Sequence, residues 1–245
     1  MHVESQGGVG VRRLLLLVVL SVLLVAAVAA TPALAATPTT LTVTAQKASV
    51  NWGATAILNG VLQTSENPPR PVDQQQILVQ YSENSGGPWT TAATVTNTAA
   101  PYTSGEYTYS WTAARNYYWT MTYLGTPEWG ATVGNVVYVR VKAVVGKPSC
   151  PSSARHGKKF TVSGSLKPQF AAGTKVQVKA QRYAHGKWKS YRTYTATTAN
   201  SGSFSKYKVR LSIAKKGKYR FYAMSASTST LAAGKSVFSR SVRIK

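Results

Sequence analysis

The sequence predicts an all-β protein, with two tandem Greek-key β-sandwiches following an N-terminal export signal. Three observations predict it. The chain repeats itself after about a hundred residues, its apolar segments alternate with polar residues, and glycine-rich turns recur at short intervals.

The repeat is read from matched stretches in the same order. Gly53-Ala54-Thr55-Ala56-Ile57-Leu58-Asn59-Gly60-Val61-Leu62 matches Gly157-Lys158-Lys159-Phe160-Thr161-Val162-Ser163-Gly164-Ser165-Leu166 at an offset of 104. Ile77-Leu78-Val79 matches Val176-Gln177-Val178, and Trp89 matches Trp188, both at 99. Gly105 and Tyr107 match Gly202 and Phe204 at 97, Tyr118 matches Tyr219 at 101, and Val139–Lys142 matches Val242–Lys245 at 103. The drifts fall between the matched stretches, where loops are expected.

Within the second copy, Phe160, Val162, Gly164 and Leu166 alternate with polar residues. So do Val176, Val178 and Ala180, then Tyr207, Val209 and Leu211, then Tyr219, Phe221 and Ala223. Ala172-Gly173, His185-Gly186, Asn200-Ser201-Gly202, Lys216-Gly217 and Ala233-Gly234 separate these runs as turns. Strands of this length and spacing in a unit of this size predict a Greek-key sandwich. Gly146, Pro148 and Pro151 interrupt the alternation, which places one module at 37–145 and the other at 146–245.

Residues 1–36 read as a signal peptide. Arg12 and Arg13 supply the basic region, Leu14 to Ala30 is unbroken apolar chain, and Ala33-Leu34-Ala35 offers small residues for cleavage. The mature chain is expected to begin at Ala36 or Thr37 and to be extracellular, without a transmembrane anchor. Cys150 is the only cysteine, so no intrachain disulfide forms. It is either a linker residue without a role or a handle for pairing with another chain.

In the second copy, Gly157-Lys158-Lys159-Phe160-Thr161-Val162-Ser163-Gly164-Ser165-Leu166-Lys167-Pro168 resembles the Ig-like repeats of secreted actinobacterial surface proteins, as do Gly186-Lys187-Trp188, Ser201-Gly202-Ser203-Phe204 and Gly217-Lys218-Tyr219-Arg220. The first copy fits that pattern more loosely. The resemblance implies two immunoglobulin-like sandwiches at the cell surface that act as spacers or adhesive modules, with no catalytic residues.

Charge divides the two modules. Residues 37–145 hold five Lys or Arg and five Asp or Glu, whereas residues 146–245 hold 22 Lys or Arg and no carboxylate. General acid–base chemistry that needs a carboxylate is therefore excluded from the second module. Alternation directs Lys175 and Lys179 outward, and likewise Lys206, Lys208 and Arg210, and Lys218 and Arg220. In immunoglobulin order the first and third sets share one sheet and the second lies on the other. These seven residues are the expected polyanion-binding surface, with an anionic envelope polymer such as teichoic acid as partner, or extracellular DNA.

The first module has five Trp and eight Tyr but no Phe. Tyr107, Tyr109 and Trp111 share one strand face, and Tyr117, Trp119, Met121 and Tyr123 another. They are read either as core or as a platform for carbohydrate. The loops carrying Pro68, Pro69 and Arg70 and carrying Trp129 are expected at one end of the sandwich as a ligand-binding pair. Trp129 is alternatively a cap on the core. The only histidines beyond the signal, His156 and His185, stand beside glycines, and no metal-ligand spacing or nucleophile motif is present. The expectation is a non-enzymatic protein without cofactor or metal.

Overall fold

The computed structural model describes residues 35–98 and 105–245, and every regular element there is a strand. The expected signal peptide, residues 1–36, lies outside the described residues apart from Ala35 and Ala36. The first half contains β1 (Thr39–Leu41), β2 (Thr44–Ala45), β3 (Ser49–Asn51), β4 (Thr55–Thr64), β5 (Gln76–Ser82), β6 (Thr90–Thr96), β7 (Glu106–Thr112), β8 (Tyr117–Tyr123), β9 (Thr132–Val133) and β10 (Val137–Lys142). Strands β1, β2 and β7 pair with β4 in one sheet. The other runs β3-β10-β8-β5-β6, with β9 on β8. The second half contains β11 (Val144–Val145), β12 (Ser153–Ala154), β13 (Lys159–Lys167), β14 (Lys175–Ala184), β15 (Lys187–Ser201), β16 (Phe204–Ser212), β17 (Gly217–Ser225) and β18 (Val242–Ile244).

The alternation determines what is buried. On β4, Ala56, Leu58 and Leu62 are buried, and from the facing sheet Ile77, Val79, Met121, Tyr123, Val139 and Val141 meet them. In the second half Val162, Leu166, Val176, Val178, Tyr207, Tyr219 and Phe221 form a separate cluster.

The eight strands of the second half lie on one hydrogen-bonded path, β11-β13-β16-β15-β14-β17-β18-β12. This corrects the expectation of two separate sheets, although the path still folds into two facing layers. The cause is β15, whose 15 residues pair with β14 from Lys187 to Thr197 and with β16 from Thr197 to Ser201. The path folds back on itself: Phe160 of β13 meets Phe221 of β17 at 6.1 Å, although those strands are not neighbours.

Pairing registers also correct the internal matches. β6 and β15 each bulge against the preceding strand, with Ala92 and Tyr191 as the extra residues, opposite the Val79–Gln80 and Ala180–Gln181 steps. The bulges align Ile77–Val79 with Val178–Ala180, two residues beyond the match read from the sequence. Tyr107 corresponds to Tyr207 rather than Phe204, because each stands across from a glycine, Gly60 or Gly164. Trp119, not Tyr118, corresponds to Tyr219, since they face Tyr81 and Arg182 at equivalent steps past the bulges. Trp188 pairs with Tyr183, and Trp89 stands one step beyond the Tyr81–Thr90 pair, which is the corresponding place.

The two halves touch. Ala143 joins β10 to β11, and Val144 and Val145, assigned from the sequence to the first module, pair with Lys167 and Leu166. Leu231, from the loop after β17, is buried in the first cluster, and Phe170 packs against both clusters. Backbone bonds hold that loop: Asn116 N donates to Thr230 O (2.7 Å), Ala232 N to Val141 O (2.8 Å) and Ala143 N to Ala232 O (3.1 Å).

Each glycine opposite a tyrosine is required by close packing. The Tyr107 hydroxyl donates to Thr42 O, and that of Tyr207 to Gly146 O (3.1 Å). A Cβ on Gly60 or Gly164 would overlap the phenol ring end that makes this bond. Gly60→Ala and Gly164→Ala should each lower the unfolding free energy by about 1–3 kcal/mol. Gly86→Ala, where a Cβ meets nothing within 4 Å, should change it by less than about 0.5 kcal/mol. Urea denaturation measures all three.

Burial pushes the phenols of Tyr107 and Tyr207 well above their ordinary range, and burial together with nearby Tyr191 pushes Tyr219 up to about 12. An unfolded tyrosine ionises near pH ~10. Above that pH the unfolded chain releases protons that the folded chain retains. The tyrosine contribution to stability is thus complete below the unfolded pKa and is lost as pH rises through the folded values. Ultraviolet titration of the folded protein should show phenols that ionise late, and Tyr207→Phe and Tyr219→Phe should each remove one. A single transition near pH ~10 in the folded chain would contradict this.

Candidate polyanion-binding surface

The outward registers of β14 to β18 bring most of the expected cations together in rows. On β16, Lys206, Lys208 and Arg210 stand across from Ser165, Ser163 and Thr161 of β13, so cations alternate with hydroxyls. Thr197 of β15 pairs with Lys175 on one side and with Lys208 on the other. The rows therefore adjoin at β15, where the hydrogen-bonded path passes from one layer to the other. Lys179 stands between Thr193 and Tyr222. Lys175 and Lys218 occupy opposite ends of the β14–β17 pair, roughly 25 Å apart, so they form no compact cluster.

Lys218 stands directly across from Arg243 of β18. Like charges at such positions repel. A cleft of about 470 Å³ lies beside them, lined also by Ser152, Gly217 and Ser241. The ion pairs among the described residues, Arg70–Glu66 and Arg115–Glu83, both lie in the first half.

Arg220 differs from the other cations. Its guanidinium lies 3.6 Å from the Phe238 ring centre and 4.4 Å from that of Trp188, and Nε donates to Gln181 Oε1 (2.8 Å). Tyr183 abuts Trp188, Tyr222 abuts Phe238, and Lys235 Nζ lies 4.8 Å from the Tyr222 ring centre. Phe238 escaped the sequence reading because its segment has no alternation. That segment runs beside β17 through serines: Ser236 and Ser239 accept from Ala223 N and Phe221 N through their hydroxyls, and donate back through their own backbone N–H groups. At the β14–β15 bulge, a second cleft of about 370 Å³ is bounded by Lys179, Ser190, Tyr191, Arg192, Thr193 and Tyr222.

The other candidates lie apart from this surface. Pro68 and Pro69 are exposed, but Arg70 is tied to Glu66 at 2.7 Å. Trp129 is half-buried against the first core, and its backbone bridges to Thr37. It caps that core. Both loops do flank the same segment: Ser65 N donates to Pro38 O, and Thr37 N to Glu128 O. Of the aromatic strand residues, Tyr107, Trp119, Met121 and Tyr123 are buried, which makes them core, while Tyr109, Trp111 and Tyr117 pack partly exposed against it. His185 and Gly186, both with positive φ, form the two-residue turn of the β14–β15 hairpin. Cys150 is buried, which pushes its thiol pKa up and removes it from contact with another chain. Among the described residues no three His, Cys, Asp or Glu gather as a metal site.

No protein-family model matches the chain, and no curated protein matches it either.

The sandwich around Arg220 makes it a structural cation. Arg220→Ala should lower stability by about 1–2 kcal/mol, and Lys206→Ala by less than about 0.5 kcal/mol. Equal effects in chemical denaturation would mean that the two aromatic rings contribute nothing.

Proposed function

We propose that this is a secreted, non-catalytic binding and spacer protein of the cell exterior, held by its basic half to anionic envelope polymers of the teichoic-acid type. The observation that carries the reading is the set of outward cations with no carboxylate among them, so that Lys218 directly opposes Arg243. A fold gains nothing from such repulsion. A polyphosphate that lies along the strands relieves it and releases its own counterions. The hydroxyls between the cations add donors for phosphate oxygens.

The finer architecture belongs to the same proposal: two tandem immunoglobulin-like Greek-key sandwiches after a signal peptide. Equivalent bulges, equivalent Gly–Tyr pairs and the two separate cores support the tandem reading. Export is supported by the basic and apolar run that ends in the cleavage-like Ala33-Leu34-Ala35, two residues before Thr37, the first paired residue among those described. A non-enzymatic role is supported by the engagement of Glu66 and Glu83 with arginines.

The intact chain from Thr37 is the appropriate material, since cutting it at the boundary would expose Leu231. It should bind teichoic-acid-bearing wall at low salt, and affinity should fall log-linearly as salt rises. For a ligand that makes about 6–10 contacts to duplex DNA, the corresponding loss is roughly 10³ to 10⁵ between 50 and 200 mM. No single Lys→Ala change should abolish binding. Joint replacement of Lys175, Lys179, Lys208 and Lys218 by Glu should abolish it without unfolding the protein. Failure to bind wall, heparin or DNA at low salt would refute the proposal. Equal salt slopes for wall polymer and DNA would show that the surface reads charge density alone.

A further inference from the structure

Where β5 ends and β8 begins, the first half holds a cleft of about 400 Å³ that the polyanion reading does not use. Two of its walls are aromatic. The Tyr81 and Tyr117 rings lie 4.6 Å apart, tilted by 55°. Behind both stands the buried Trp119, 5.7 Å from Tyr81 and 6.2 Å from Tyr117, which fixes the ring positions. On the rim, Arg115 Nη1 contacts Glu83 Oε1 at 2.7 Å, and its guanidinium lies 5.8 Å from the Tyr117 ring centre. Asn84 and Thr90 complete the polar lining and are exposed.

The chemistry of this lining selects a ligand. Half-exposed aromatic faces receive the C–H face of a sugar ring. The rim offers both donors and acceptors: the remaining guanidinium N–H groups, the second Glu83 oxygen, the Asn84 amide and the Thr90 hydroxyl. Vicinal ring hydroxyls need that mixture, since each both donates and accepts. The charge is balanced locally, so a phosphate that gained Arg115 would also meet Glu83. The volume lies at the low end for small-molecule sites and suits one or two sugar units.

The second half supplies an internal comparison. At the registers of Tyr81, Thr90 and Tyr117 it carries Arg182, Lys189 and Gly217. One corner of the repeated unit thus carries aromatics with a neutralised ion pair in the first half and uncompensated cations in the second.

We infer that the cleft formed by Tyr81, Tyr117, Arg115 and Glu83 is a binding site for neutral pyranose sugars of a glycan chain. It stands whether or not the basic half binds polyanions. The test uses the intact chain and four probes, cellohexaose, maltohexaose, mannohexaose and chitohexaose, each at roughly 10 mM. Salt of about 0.5 M suppresses long-range electrostatics. Amide and side-chain NMR shifts should respond to at least one probe at Tyr81, Tyr117 and Arg115, with affinity independent of salt. Arg115→Ala, at a side chain 41% exposed, should weaken binding about tenfold while leaving the fold intact. Glu83→Gln should act in the same direction. The charge-reversed second-half variant should bind the sugar as well as the wild type does. Binding of none of the four probes, or equal binding by Arg115→Ala, overturns the inference.

Discussion

In each half one tyrosine lies across a glycine of the adjacent strand and donates its hydroxyl to a carbonyl of the entering segment. The remaining organisation depends on this contact. It joins three stretches of chain, the entering segment and two strands, at one point, and only glycine leaves room for it. It also sets parity. With Tyr207 inward, Lys206 and Lys208 must face out, and through Thr197 the same parity passes to Lys175 on the next strand. A one-residue slip would bury the lysines, at a cost that no apolar contact offsets. Without a disulfide, this packing and the apolar core carry the stability of the second half.

The cations then divide by what holds them. Lys206, Lys208 and Arg210 stand among hydroxyls with no carboxylate in their half, and Lys206 Nζ lies 5.9 Å from the Phe204 ring centre. Arg220 is enclosed by two rings and a glutamine, with its charge directed into π faces and its Nε already bonded. Such a guanidinium keeps fewer donors for a ligand. The seven residues picked out by alternation are therefore not equivalent. The unpaired lysine rows and the opposed Lys218–Arg243 pair are better placed for anions than Arg220 is.

Much of this was legible in the sequence, because alternation reports parity directly. The inward and outward sets on β13, β14, β16 and β17 follow from it, as does the all-β class. Register was not legible. A bulge adds a residue without a signature of its own, and only the pairing, with Ala92 and Tyr191 as equivalent extra residues, aligns Ile77 with Val178 and not with Val176. Tyr81 keeps the parity of Ile77 and Val79 against β8, so nothing in the alternation marked it as a wall of the first-half cleft. The length of β15 was equally hidden, because threonines at both its edges read the same whether they face one partner strand or two. Phe238 was missed for a different reason. Its segment replaces part of a ladder with serine hydroxyls, and period-2 analysis is blind to that. Trp129 was read as cap or contact, and its ring packs half-buried against the first core, as a cap would.

The join between the halves bears on how their two surfaces act. A linker of exposed glycine and proline would leave each half to bind independently. Instead Ala143 passes directly from β10 to β11, and Leu231 reaches back into the first core under three backbone bonds. Reorienting one half against the other means withdrawing a leucine that is 5% exposed, a cost of roughly 2 kcal/mol. The cleft at Tyr81 and Tyr117 and the lysine rows are thus held in a set relation. For a polymer that carries both sugar rings and phosphates, the second contact is then intramolecular, and its strength depends on whether the polymer's spacing matches that geometry. Weak single contacts are sufficient in that arrangement. The proposed surface, in which no one cation is expected to be indispensable, and a cleft of about 400 Å³ both suit that arrangement.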